Sequence, residues 1–230
     1  MADRPERERA PWWDIPLTIG IAVGAVLLIT TFLVKPFSIP SGSMEETLAI
    51  GDRVLVNRAV YHLRDIERGD IVVFDGSDSF VPAGDAPQRN PVAGVLAWLG
   101  QSIGVVPPDS TDFIKRVIGV GGDRVACCGA DGRVTVNGEA LDESAYLYPG
   151  DSPSTQDFDV EVPQGMLWVM GDHSSNSADS RAHLGDPGGG FVPESKVVGR
   201  AMTVLWPVSR LQSLDIPEVF AGIPAPEGSG

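Results

Sequence analysis

The sequence is short of bases. Its 230 residues hold three lysines (Lys35, Lys115, Lys196) and three histidines (His62, His173, His183), so each possible proton acceptor can be weighed singly. Positive charge is scarce as a whole: Asp and Glu outnumber Lys and Arg by 31 to 17, a formal net charge of −14. No basic surplus exists to meet phosphates, which argues against a nucleic-acid partner. An acidic surface keeps a domain soluble and says little about substrate. Cysteine is limited to the adjacent Cys127 and Cys128. Neighbouring cysteines are poorly placed for an ordinary disulfide, and a vicinal bridge, two free thiols or an intermolecular link all stay open. Two small apolar residues on a hairpin is the plainest reading. The spaced Cys, His and carboxylate ligands of a metal centre are missing, so neither metal nor cofactor is expected. Also missing is a Gly-x-Ser-x-Gly elbow.

Long apolar runs are limited to one. Ile15 to Val34 is a stretch of 20 residues without a charge, closed by Asp14 and Lys35. As a helix it reaches roughly 30 Å, the thickness of a bilayer's hydrocarbon core. Trp12, Trp13 and Phe37 flank it where aromatic rings settle at membrane interfaces. Arg4, Arg7 and Arg9 precede it, while Lys35 alone lies close after it, which predicts a cytoplasmic N-terminus and an extracytoplasmic remainder. A cleaved signal peptide is the competing reading. Its apolar core would be shorter and would end at a small-x-small site, whereas Lys35-Pro36-Phe37 follows here.

After Lys35 the chain reads as short strands and turns. Arg53 to Asn57, Asp70 to Phe74, Phe113 to Val120, Met166 to Met170 and Val197 to Trp206 are the clearest strands. Arg124 to Cys128 and Arg133 to Val136 flank a Gly- and Asp-containing turn as a hairpin, and Asn137-Gly138 supplies another turn. This pattern predicts an all-β domain over 35–215, a sandwich or irregular barrel. An insertion at about 76–112, with an apolar patch from Val92 to Val106 around Trp98, interrupts the rhythm and reads as a loop over the core. Residues 1–14 form a cytoplasmic N-terminus, 15–34 a membrane helix and 216–230 a loose tail.

Three segments could carry chemistry. In Ile39-Pro40-Ser41-Gly42-Ser43-Met44, an extended backbone would point Ser41 and Ser43 to one side. One hydroxyl could then attack while the other steadied an oxyanion, although a lone Ser-Gly-Ser is usually a turn. In Phe113-Ile114-Lys115-Arg116-Val117-Ile118, Lys115 shares a strand face with Phe113 and Val117. Burial there would lower its pKa and leave a neutral amine able to take a serine proton. Without that burial it is a snorkelling edge lysine. Gly171 to Arg181 reads as a structured polar loop in which Ser177 could orient a neutral lysine and Asp179 could pair with Arg181.

Taken in order, these segments resemble the bacterial type I signal peptidases. The apolar run followed by Pro40-Ser41-Gly42-Ser43-Met44 matches the nucleophile box, and Gly51 to Val56 the next. Arg68 to Phe74 and Ile114 to Gly119 match the lysine region. Gly171-Asp172 with Asn176 to Arg181 matches the last box. The resemblance implies a mainly β fold behind one N-terminal transmembrane helix. It implies a Ser-Lys dyad of Ser43 as nucleophile and Lys115 as general base. Ser177 would bond the lysine amine, and Ser41 would donate to the oxyanion beside the backbone N–H of Ser43. Asp179 and Arg181 would support the loop, while Ile39 and Ile114 would shape shallow pockets for small side chains. The implied partners are preproteins bearing signal peptides, the lipid bilayer and the secretion translocon, with no cofactor. Glu46 stands where the family commonly has Pro, and His173 and Ser174-Ser175 where it commonly has Asn and Arg-Asp.

Three other readings compete. A Ser-His-Asp hydrolase could use His173 beside Asp172, but the elbow is missing. A self-cleaving repressor-type protease would want a DNA-binding domain where the apolar run stands. A membrane-tethered, non-catalytic β-domain binding peptides or wall components would need no neutral lysine.

Overall fold

The computed structural model describes residues 14–77, 79–81, 111–129, 131–186 and 188–226. The chain opens with helix α1 (Asp14–Phe32), whose side chains are described as far as Gly24. In that half Ile15, Leu17, Ile19, Ile21 and Val23 all face outward. Among the described residues no helix is long and apolar enough to cross a membrane. The helix also ends sooner than the apolar run predicts. Val34 already begins strand β1 (Val34–Ser38), which pairs with β2 (Arg53–Asn57). Phe37 is therefore not an interfacial anchor. It lies opposite Val54, buried in the core. Pro36 is tolerated because β1 sits at the sheet edge.

Eight strands form the main sheet, all paired antiparallel. Beyond β1 and β2 they are β3 (Ile71–Asp75), β4 (Asp112–Gly119), β9 (Met166–Met170), β10 (Val192–Pro193), β11 (Val197–Trp206) and β12 (Gln212–Ser213). The order is β1-β2-β11-β3-β4-β9-β10, with β12 paired to β11. A second sheet runs β7-β6-β5-β8, from β5 (Arg124–Cys127), β6 (Thr135–Val136), β7 (Glu139–Ala140) and β8 (Phe158–Glu161). The Asn137-Gly138 turn joins β6 to β7 with both residues at positive φ, 53° and 81°, the requirement of a tight hairpin. The β5–β6 hairpin forms as expected.

Both faces of the main sheet are covered. On β3, Ile71 and Val73 join an apolar cluster with Phe37, Met44, Leu48, Val54 and Ile114, while Val72 and Phe74 join another with Val117, Leu167 and Val169. That is why Ile71-Val72-Val73-Phe74 is an unbroken apolar run without alternation. A third cluster, with Ile118, Val125, Phe158 and Trp168, packs the small sheet against β4 and β9.

One expectation is corrected here and one open alternative is decided. The segment from Ile216 is not a loose tail as far as it is described, because a 3-10 turn at Glu218–Gly222 buries Phe220 and Ile223 in the third cluster. Gly69 admits this packing: its φ is +87°, and a Cβ would lie 2.7 Å from both Ile216 and Phe220. Cys127 and Cys128 are joined in a vicinal disulfide at the end of β5, with Cys127 buried in the same cluster. The Val92–Val106 patch, most of the insertion and the residues before Asp14 lie outside the described residues.

Candidate active site

Ser43 sits on a turn, not on the extended backbone that its spacing from Ser41 invited. The Glu45 N–H donates to Gly42 O (3.1 Å) and the Leu48 N–H to Met44 O (2.7 Å). Met44 and Leu48 are fully buried, so the turn hangs from the core by two apolar pegs. Ile39 and Gly51 close its base, Gly51 N–H to Ile39 O at 2.9 Å and Ile39 N–H to Asp52 O at 2.9 Å. The Asp52 carboxylate accepts from Ala49 N–H and from Arg210 Nε. This geometry buries Ser43 and leaves Ser41 exposed on the preceding bend.

Lys115 lies inside β4, in register with Val72 of β3 and on one face with Val117. It is 3% exposed, and its Nζ lies 2.6 Å from Ser43 Oγ and 3.0 Å from Ile114 O. Burial disfavours the ammonium form and holds the amine at about 8 instead of its ordinary 10.5. The Asp179 and Asp172 carboxylates pull the other way, and the Arg181 guanidinium adds to the lowering.

The polar loop after β9 wraps this pair. The Asp179 carboxylate accepts from Gly171 N–H at 2.9 Å and holds Arg181 through Nε at 2.8 Å and Nη2 at 2.6 Å. Arg181 in turn donates to Pro153 O and Ser174 Oγ. Ser43 O accepts from the His173 N–H at 3.1 Å. Gly171 is wedged beside it: a Cβ there would press on Ser43 O and on the Ser177 side chain. Ser177 Oγ is thus brought to the Ser43 backbone, but it is buried without a hydrogen-bond partner and makes no bond to the Lys115 amine. Ile39 and Ile114 meet in one apolar cluster with Met44, as a covered floor and not an open wall.

Several residues here escaped sequence reasoning. Arg116 grips Asp172 through Nε and Nη2, donates to Gly69 O, and stacks over the Tyr146 ring at 4.4 Å. A guanidinium in a strand as apolar as Phe113 to Ile118 must find a buried anion, and that was the available signal. Glu143, on the 3-10 turn Glu143–Ala145, is buried nearby and pushed up to about 7 by that burial. Its Oε2 has no partner, and nothing in sequence spacing pointed to it. Glu45 pairs with His173, whose ring had suggested only a hydrolase triad. No ring nitrogen of His173 is bonded to Ser43; Glu45 and Tyr148 occupy it instead. Among the described residues no cluster of His, Cys, Asp and Glu could hold a metal ion.

The family description "Signal peptidase, peptidase S26" matches residues 12–206. The sequence is similar to a probable signal peptidase I of Mycobacterium leprae, 38% identical over 89% of this chain and 79% of the relative. It is 40% identical to the signal peptidase I of Mycobacterium tuberculosis over 83% of this chain and 71% of that one. The signal peptidase I of Leptolyngbya laminosa shares 36% identity, covering 91% and 90% of the two chains.

Proposed function

This chain belongs to the signal peptidase family, peptidase S26, and is a peptide-bond hydrolase of the signal peptidase I kind; on that premise we propose that Ser43 and Lys115 are its catalytic dyad. The observation that carries the reading is the 2.6 Å contact between Ser43 Oγ and a lysine amine that burial holds near 8. A neutral amine at that distance accepts the hydroxyl proton as Oγ attacks the scissile carbonyl. The resulting ammonium then returns the proton to the leaving amine, and the acyl group stays on Oγ. Lys115 next takes a proton from water as its oxygen attacks the ester carbonyl, then gives that proton to Oγ as the acyl bond breaks, which frees Ser43 and leaves the amine neutral.

Charge develops on the carbonyl oxygen in both steps. The backbone N–H of Ser43, together with the Ser41 hydroxyl on the exposed bend, is the proposed donor pair for it. Asp179 and Arg181 hold the surrounding loop, and Ser177 stands beside Ser43 O as the proposed orienting hydroxyl for the amine. Ile39 and Ile114 would form the floor beneath small side chains at −1 and −3 of the substrate.

The substrates proposed are exported preproteins with N-terminal signal peptides ending in Ala-x-Ala, met at the outer face of the cell membrane and handed over by the translocon. Four features support that location. Apolar side chains of α1 point outward wherever they are described. Ile50, Trp206, Val208 and Leu211 are also exposed, on segments that the Asp52–Arg210 ion pair ties together. A disulfide persists in an oxidising compartment, as expected outside the cytoplasm. Arg4, Arg7 and Arg9 ahead of the apolar run support a cytoplasmic N-terminus.

The test is cleavage of a peptide with Ala at −3 and −1 by the full chain in detergent or lipid. Cutting is expected after the second Ala, and Ser43→Ala and Lys115→Ala should each abolish turnover with the fold intact. Near wild-type cleavage by either variant overturns the dyad.

A further inference from the structure

We propose that Glu45 and His173 form a latch that fixes the backbone of Ser43, making both of them positioning residues for the nucleophile. The proposal rests on the reading of Ser43 given above. Its grounds are contacts that reach Ser43 from both sides. After it in the chain, the His173 N–H donates to Ser43 O at 3.1 Å. On its other side, the Glu45 carboxyl folds back over Gly42, the residue before Ser43, where an added Cβ would lie 2.9 Å from Glu45 Cδ. The same carboxyl lies 2.9 Å from His173 Nδ1, so one residue pair closes on the nucleophile from two directions.

The latch is itself anchored. The His173 ring lies flat on Tyr148, centroids 3.9 Å apart and planes 9° from parallel. Tyr148 is bound to the same loop, its N–H donating to Asp172 O at 2.8 Å. The other ring nitrogen lies 4.0 Å from Asp151 Oδ2, and that carboxylate accepts from Ser175 N–H and Oγ. The imidazole therefore has one orientation, held by stacking on its face and carboxylates at its edges. With Ser43 O fixed, the only freedom left to Oγ is rotation about χ1, and the 2.6 Å contact with Lys115 follows from where the backbone stands. A displacement of about 1 Å at a reacting atom can cost on the order of 100-fold in rate.

The experiment uses the full chain with His173→Phe, Glu45→Ala, Glu45→Gln and the His173→Phe/Glu45→Ala double variant. His173→Phe keeps the backbone N–H and a ring for Tyr148 but loses the bond to Glu45. Two rates are read: kcat and KM on the Ala-x-Ala peptide, and inactivation by a small fluorophosphonate, which occupies no peptide subsite. Each single disruption is expected to lower kcat and the inactivation rate about 10- to 100-fold while KM stays nearly constant. The double variant should be no worse than either single one, and Glu45→Gln should recover most of the rate through its retained hydrogen bond. A rate near wild type in both assays, a loss confined to KM, or a loss that tracks a lowered unfolding midpoint overturns the latch. Ser43→Ala run alongside separates the two claims. If it still cleaves, the nucleophile is misassigned, whereas a dead Ser43→Ala beside a fully active His173→Phe sinks only the latch.

Discussion

Arg116 holds Asp172 through both carboxylate oxygens, at 2.8 and 2.6 Å, and neither side chain is more than 2% exposed. Each partner is next in sequence to a residue of the site, Lys115 on one side and Gly171 on the other. The pair therefore bolts the strand bearing Lys115 to the loop that carries Ser177, Asp179 and Arg181. It also shapes the electrostatics, since the Asp172 carboxylate favours the charged form of Lys115.

Asp172→Asn should be costly for that reason. It leaves a buried guanidinium without its counter-charge, a loss of about 3–5 kcal/mol. Replacing both partners, as Arg116→Met with Asp172→Leu, should cost much less, because no charge is then stranded. Urea unfolding of the two variants measures the difference. The single variant should also move the rising limb of the pH–rate profile downward, since an anion that favours ammonium is gone.

With Lys115 as the proposed base, its amine should set the pH dependence of catalysis. It must be neutral to accept the serine proton, so kcat/KM should rise with pH through about 8. A limb near the ordinary lysine value of 10.5 would mean that the buried amine is not the base. Stability carries the same signature. The folded amine binds its proton less tightly than the unfolded one, so the penalty of burial is full below pH 8. It is relieved as pH rises from 8 to 10.5, where the unfolded chain holds the extra proton. At pH 7 that penalty is on the order of 3 kcal/mol. Lys115→Met should therefore be inactive yet more stable than wild type at pH 7, with the gap closing toward pH 10.5.

How much of this the sequence discloses differs by element. Short apolar strands, such as Arg53–Asn57 and Met166–Met170, stand at their expected bounds because side-chain pattern alone defines them. β1 does not, since Val34 and Phe37 continue an apolar run and only pairing with β2 separates strand from helix. The packed C-terminal segment was hidden by its Pro and Gly content. What orders it is long-range, Phe220 stacking on Tyr146 and Arg68 reaching Ile223 O. In the site, motif order singled out Ser43 and Lys115, and the fold brings the two side chains together in a buried contact. The Glu45–His173 and Arg116–Asp172 pairs were not, because each joins residues over 50 apart that no local spacing relates.

Glu46 marks a local conflict. Its φ is +84°, a left-handed conformation that side chains avoid and glycine accepts. The turn bearing Ser43 imposes it, and Glu46 is exposed, so no packing compensates. Glu46→Gly should raise stability by about 1 kcal/mol, read as a higher urea midpoint at unchanged slope. A proline there, with φ fixed near −65°, should instead destabilise unless the turn rearranges.

Ser177 gives the sharpest separation of stability from catalysis. Its Oγ is buried beside Ser43 O and bonded to nothing, so Ser177→Ala removes a desolvated oxygen and breaks no hydrogen bond. The unfolding free energy should hold or rise by about 1 kcal/mol. Turnover should nonetheless fall about 10-fold or more if the hydroxyl receives the amine during reaction, when Lys115 becomes an ammonium and needs an acceptor. KM should change little, because Ser177 lies behind the nucleophile and not on the substrate. The measurement is a urea curve beside steady-state kinetics on one preparation. Wild-type kcat in Ser177→Ala would remove the residue from the catalytic set and leave the Ser43–Lys115 pair to act alone.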